Sequence, residues 1–160
     1  MQKVLDKLIL QLQKRRLTVA TAESCTGGLV SKLLTDRAGS SAWFDCGFVV
    51  YNAKAKQRQL DVSETVIRTA GEVSRRVVTE MAEGAIAKSN ANVALAITGL
   101  AGPGGGSKEK PLGMVWIGWA GKNYETESQC FHFDGDRDQI RHHAAKAAMK
   151  GLVHYIVKNA

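Results

Sequence analysis

The 160 residues are 44% hydrophobic with a formal charge of +7, enough apolar material to bury a core without disulfide or metal staples. No run approaches the roughly 18 to 20 apolar residues of a membrane helix, and the N-terminus reads as an amphipathic helix rather than a secretory leader, so a cytoplasmic setting is expected. Three widely spaced cysteines without a CxxC pair, and four histidines without ligand spacing, argue against a disulfide framework and a metal site, and no cofactor is expected.

In chain order, Val4, Leu5, Leu8, Ile9 and Leu12 recur at helical spacing and predict a helix over 2–15. Leu17 to Ala22 reads as a short buried strand, Glu23 to Gly28 as a glycine turn, and Leu29, Val30, Leu33 and Leu34 as a helix ending before Gly39. Phe44 to Tyr51 is rich in β-formers, and a charged helical stretch follows from Ala53 to Leu60. Ser74 can cap a helix running to about Ser89, with Val77, Val78, Met81, Ala82 and Ala85 facing inward. Val93 to Thr98 is an apolar strand, and Gly99 to Leu112, with five glycines and both prolines, is a loop. Met114–Ala120 and Tyr124–Phe133 form a hairpin about Gly121-Lys122-Asn123, and Asp136 to Val157 is a closing helix. This alternation predicts one domain over 1–160, a three-layer α/β/α sandwich with a mixed β-sheet.

Two glycine-rich turns follow buried strands, which is where an open α/β sheet presents ligands. In the first, Ser24, Thr26 and Gly27 precede a helix whose N-terminus favours an anion, so these three residues are candidate substrate contacts, and Ser24 or Thr26 is a candidate helix cap. The second, Thr98 to Gly106, is long enough to cover a site. Neither turn has a Walker Gly-Lys-Ser/Thr or a GxGxxG, which disfavours nucleoside triphosphate hydrolysis and dinucleotide binding. Ser40-Ser41, Tyr51 and Lys56 offer a serine, a tyrosine and a lysine, but spacing alone does not single them out. A serine hydroxyl needs a neighbouring base, and a lysine serves only where its surroundings favour the free amine. Cys25 beside a helix N-terminus is a second candidate nucleophile.

The runs Thr21-Ala22-Glu23-Ser24-Cys25-Thr26-Gly27-Gly28, Gly39-Ser40-Ser41-Ala42-Trp43-Phe44, Thr98-Gly99-Leu100-Ala101-Gly102-Pro103-Gly104-Gly105 with Glu109-Lys110-Pro111-Leu112-Gly113, and Gly135-Asp136-Arg137 occur in order. Together they resemble the CinA C-terminal domain family, over about residues 4 to 157. The resemblance implies a hydrolase converting nicotinamide mononucleotide to nicotinic acid mononucleotide and ammonia in pyridine nucleotide recycling, in a stand-alone form without the additional N-terminal domain of many relatives. It implies Ser41, Tyr51 and Lys56 as catalytic serine, tyrosine and lysine, and Thr98, Gly99 and Arg137 as substrate contacts. Ser41 would attack the amide carbon, Lys56 accept its proton, and Tyr51 orient or relay. The expected partners are a small pyridine mononucleotide and a second copy of the chain in a homodimer.

Two departures bear on Lys56. Where relatives commonly have Tyr-Ser-Asn this chain has Tyr51-Asn52-Ala53, and where many have a histidine it has Ala70. An inactive paralogue and a non-enzymatic, competence- or DNA-related binding protein are the alternative readings. Against nucleic acid, the basic residues fall in short clusters along the whole chain, with no helix-turn-helix or RNA-binding aromatic motif.

Overall fold

The computed structural model describes residues 1–160. Its elements are α1 (Gln2–Arg15), β1 (Val19–Glu23), α2 (Leu29–Thr35), a 3₁₀ turn (Ser40–Ala42), β2 (Phe44–Val49), α3 (Ala53–Leu60), α4 (Glu64–Ala70), α5 (Arg75–Ala87), β3 (Val93–Gly99), β4 (Met114–Gly121), β5 (Tyr124–His132) and α6 (Arg137–Asn159). The five strands make one sheet in the order β2-β1-β3-β4-β5, with β1 parallel to both β2 and β3 and the β4–β5 hairpin antiparallel. This is the mixed sheet read from the sequence, with helices on both faces.

Alternation along the strands divides the core into two unequal layers. Val93, Leu95 and Ile97 join α1, α2 and α6 in one cluster, whereas Ala20, Ala22, Ala94 and Ala96 meet Val77, Val78, Met81 and Ala85 of α5 in the other. The all-alanine face lets α5 lie close to the sheet. A Cβ on Gly118 of β4 would stand 3.0 Å from the Val78 carbonyl oxygen, and one on Gly84 of α5 2.2 Å from that of Leu60 in α3.

Helix ends follow their caps. Asn52, Ser63, Ser74 and Asp136 each accept a backbone N–H in the first turn of the helix they precede, and Asp136 with Gln139 completes a capping box. One boundary shifts: the first strand begins at Val19 rather than Leu17, because Arg16 caps α1 in the left-handed conformation with φ 53°. The stretch between Leu60 and Ser74, to which the sequence assigns no element, contains α4; it buries only Val66 fully, so its periodicity is faint. No helix is long and apolar enough to cross a membrane.

Connections leave β1 toward β2 and reach β3 by way of α3, α4 and α5, so the strand order reverses at β1. Such a switch point opens a crevice at the carboxyl ends of the strands. Ser24 follows β1, Tyr51 follows β2, and Thr98 and Gly99 end β3; all border this crevice.

Candidate active site

A cleft of about 250 Å³ lies there, walled by Ser24, Cys25, Tyr51, Lys56, Glu72, Thr98 and Arg137 together with the glycine loop from Gly99 to Gly104. Lys56 lies at its base, 1% exposed, although it belongs to a helix otherwise rich in solvated charge. A buried ammonium is costly unless each hydrogen finds an acceptor. Nζ has three, donating to Ser24 Oγ at 3.0 Å, to the Val50 carbonyl at 3.2 Å and to Glu72 Oε2 at 3.0 Å. The Ser24 hydroxyl in turn points to the Tyr51 carbonyl at 3.5 Å. Serine and lysine, which follow the neighbouring strands β1 and β2, therefore meet although 32 residues apart in sequence.

The first glycine turn is built differently from the expectation. Its helix N-terminus is already occupied by Glu23, the last residue of β1 and fully buried. This carboxylate accepts from Gly28 N, Val30 N, Ser31 N and Ser31 Oγ at 2.8–3.1 Å, taking up the orphan donors that would attract a phosphate. Neither Ser24 nor Thr26 caps α2, whose cap residue is Gly28. Thr26 and Gly27 lie outside the lining of the cleft, and Thr26 Oγ1 is buried without a partner. Arg141 of α6 fixes the back of the turn, donating to the Cys25 and Thr26 carbonyls.

At the cleft mouth, Arg137 donates from Nη1 to the Gly102 carbonyl at 2.7 Å and from Nη2 to the Tyr51 hydroxyl at 2.8 Å. The Tyr51 hydroxyl is thus paired with Arg137, not with Lys56, and its ring stands 57% exposed at the entrance. It is the Val50 and Tyr51 carbonyls that receive the lysine and serine hydrogens. Thr98 Oγ1 donates to the Glu72 carbonyl at 2.9 Å. At Gly99 a Cβ would come within 2.7 Å of Val115 Cγ2 and 2.9 Å of the Met114 carbonyl oxygen, so only glycine lets the loop leave β3 alongside β4.

Ser41 is not brought to the cleft. It sits exposed in the 3₁₀ turn that precedes β2, at the amino ends of the strands, while Lys56 gathers at the carboxyl ends. The six residues of β2 separate the two, roughly 20 Å of extended chain. Cys25 does line the cleft, but burial pushes its thiol up to about 11, opposite to the depression expected of a cysteine beside a free helix N-terminus.

The CinA C-terminal domain family model matches residues 1–156. The chain belongs to the CinA C-terminal domain family. It is 48% identical over 88% of its length, and 86% of the relative's, to nicotinamide-nucleotide amidohydrolase PncC of Enterobacter agglomerans. To the protein of the same name from Escherichia coli K12 it is 47% identical, covering 92% and 90% of the two chains. The crystal structure of competence/damage inducible protein CihA from Agrobacterium tumefaciens superposes with a TM-score of 0.91 at 41% identity, over 95% of this chain and 93% of that one.

Within this CinA domain the structure assembles Ser24, Tyr51, Lys56, Thr98, Gly99 and Arg137, and leaves Ser41, Thr26 and Gly27 outside. Glu72 escaped the sequence reading because it falls in an irregular stretch with no recognisable spacing to Lys56. The one available signal was a carboxylate inside the Ala70-to-Ser74 segment, which the resemblance had singled out at Ala70.

Proposed function

We propose that residues 1–160 act as one amidohydrolase domain that hydrolyses the carboxamide of nicotinamide mononucleotide to nicotinic acid mononucleotide and ammonia, with Ser24 as nucleophile and Lys56 as its base. The observation that carries this reading is the 3.0 Å contact between buried Lys56 Nζ and Ser24 Oγ. The PncC names of relatives at 47–48% identity supply the substrate class. The nucleophile role expected of Ser41 passes to Ser24, the only serine among the residues lining the cleft.

With Nζ as free amine, Ser24 Oγ attacks the amide carbon as its proton passes to Lys56. The carbonyl oxygen becomes an oxyanion. The backbone N–H groups of Cys25 and Ala101, in the cleft wall and without an acceptor in the protein, are the donors proposed for it. Collapse breaks the C–N bond, Lys56 returns the proton to nitrogen, and ammonia leaves. Water then attacks the Ser24 ester, giving one proton to Lys56, and Lys56 returns it to Ser24 Oγ as the ester C–O bond breaks and the carboxylic acid departs. Arg137 retains donors for the phosphate, and Tyr51 supplies an aromatic face at the entrance for the pyridine ring. A cytoplasmic location and a homodimer complete the reading, as expected from the sequence.

An ammonia-release assay on nicotinamide mononucleotide tests it. The wild type is active, Ser24→Ala falls at least about 10³-fold, and Ser41→Ala stays within about twofold. An inactive wild type overturns the substrate, and an active Ser24→Ala overturns the nucleophile.

A further inference from the structure

We infer that Glu72 is a positioning residue for Lys56: its carboxylate aims Nζ at Ser24 and stabilises the ammonium that forms when the lysine takes the serine proton. The inference rests on the Ser24–Lys56 chemistry proposed above.

The geometry is that of a base held by a third group. Glu72 Oε2 lies 3.0 Å from Nζ and Ser24 Oγ also 3.0 Å, so the lysine nitrogen sits between carboxylate and hydroxyl. The Val50 carbonyl takes the remaining hydrogen. Two of the three acceptors are neutral; the carboxylate alone carries the charge that favours a cation at Nζ.

Glu72 has no helix to hold it, yet its backbone is fastened on both sides. Thr98 Oγ1 donates to its carbonyl at 2.9 Å, Lys110 Nζ donates to the Ala70 carbonyl at 2.6 Å, and Ser74 Oγ donates to the Gly71 carbonyl at 2.9 Å. The glycine loop that walls the cleft therefore also fixes the segment that aims the lysine. Thr98, expected to contact substrate, spends its hydroxyl proton on this task. Ala70 contributes only its backbone to this arrangement, and Glu72 supplies the lysine with support from the same segment.

The other charged or titratable groups nearby are committed elsewhere or face the mouth. Glu23 is taken by the first turn of α2, Arg141 by the carbonyls of Cys25 and Thr26, Lys110 by Ala70, and Arg137 by Gly102 and Tyr51. The Cys25 thiol is held protonated by burial. Glu72 is the one carboxylate placed on Nζ.

The test is the pH profile of kcat/KM for ammonia release in wild type, Glu72→Gln and Glu72→Asp. Glutamine keeps the shape and removes the charge. We expect kcat to fall about tenfold with KM within about twofold, and the acidic limb of the profile to move about one pH unit lower, because the lysine loses the charge that holds its proton. Glu72→Asp recovers part of the rate and returns the limb toward that of the wild type. An acidic limb that stays in place in a folded Glu72→Gln, or wild-type kcat at every pH, overturns the inference. A wild type without deamidase activity instead overturns the reaction on which it rests.

Discussion

Two clefts of the molecule differ in how they are built, and the smaller is the better built. Between β5 and α6 a groove of about 680 Å³ is floored by Trp119, Phe131 and Phe133 and rimmed by Lys146, Lys150 and three histidines. His143, Lys146, Ala147, Lys150, Gly151 and His154 lie on one face of α6 at spacings of three and four. Gly151 deepens the groove by admitting the Trp119 ring where a side chain would clash. Its cations, however, stand in solvent, where charge is cheap and poorly oriented. The cleft of about 250 Å³ at the strand ends holds an almost wholly buried lysine with three acceptors, a serine at its tip and a carboxylate behind it. Reactivity is marked by costly polar groups kept in place, not by empty volume.

The sharpest way to break this contrast is to empty the small cleft of its charge. Lys56→Met keeps the buried stem and removes the amine, and should cost at least about 10³-fold in kcat/KM for ammonia release while circular dichroism stays native. A folded variant with wild-type turnover would mean that the buried network is structural.

Next comes alkaline stability. The Cys25 thiol is raised from 9.0 to about 11 by burial, with the carboxylate of Glu23 adding to it and Arg141 and Lys56 opposing it. A folded-state value above the unfolded one gives a contribution that is complete below about pH 9 and lost as pH climbs toward 11. The unfolding free energy from urea titrations should therefore fall by about 2–3 kcal/mol more over that range in wild type than in Cys25→Ala. Equal slopes would show the thiol to be solvated. The smallest effect is expected in the groove, where Lys146→Gln with Lys150→Gln should leave kcat/KM within about twofold. A larger loss would tie the groove to turnover.

The fold was legible because its signals are local. Alternation of Val93, Leu95 and Ile97 with alanines, caps at Ser74 and Asp136, and the glycine turns each report on a few neighbouring residues. The site was half legible for the same reason. Tyr51, Lys56, Thr98 and Arg137 reached the cleft as the motifs implied, but Ser41 did not: the strand legible over Phe44 to Tyr51 lies between Ser41 and Lys56 and carries the chain from one end of the sheet to the other. The Ser24–Lys56 contact spans a strand pair, and Glu72 reaches the lysine through tertiary packing of α5 and the glycine loop. The first helix N-terminus, expected to attract an anionic ligand, is filled instead by the chain's own Glu23.

The alanine face of the sheet has a consequence for chemistry. Ala22 and Ala96 set the thickness of the layer on which α5 rests, and the segment carrying Glu72 enters α5 directly. Lys56 rides on α3, which shares this layer and meets α5 where Gly84 abuts Leu60, so the packing of α3 against α5 is a ruler for the separation of Glu72 and Lys56. A methyl group added deep in this core lengthens the ruler, so the polar contact at the strand ends is gauged by apolar atoms that never meet a substrate.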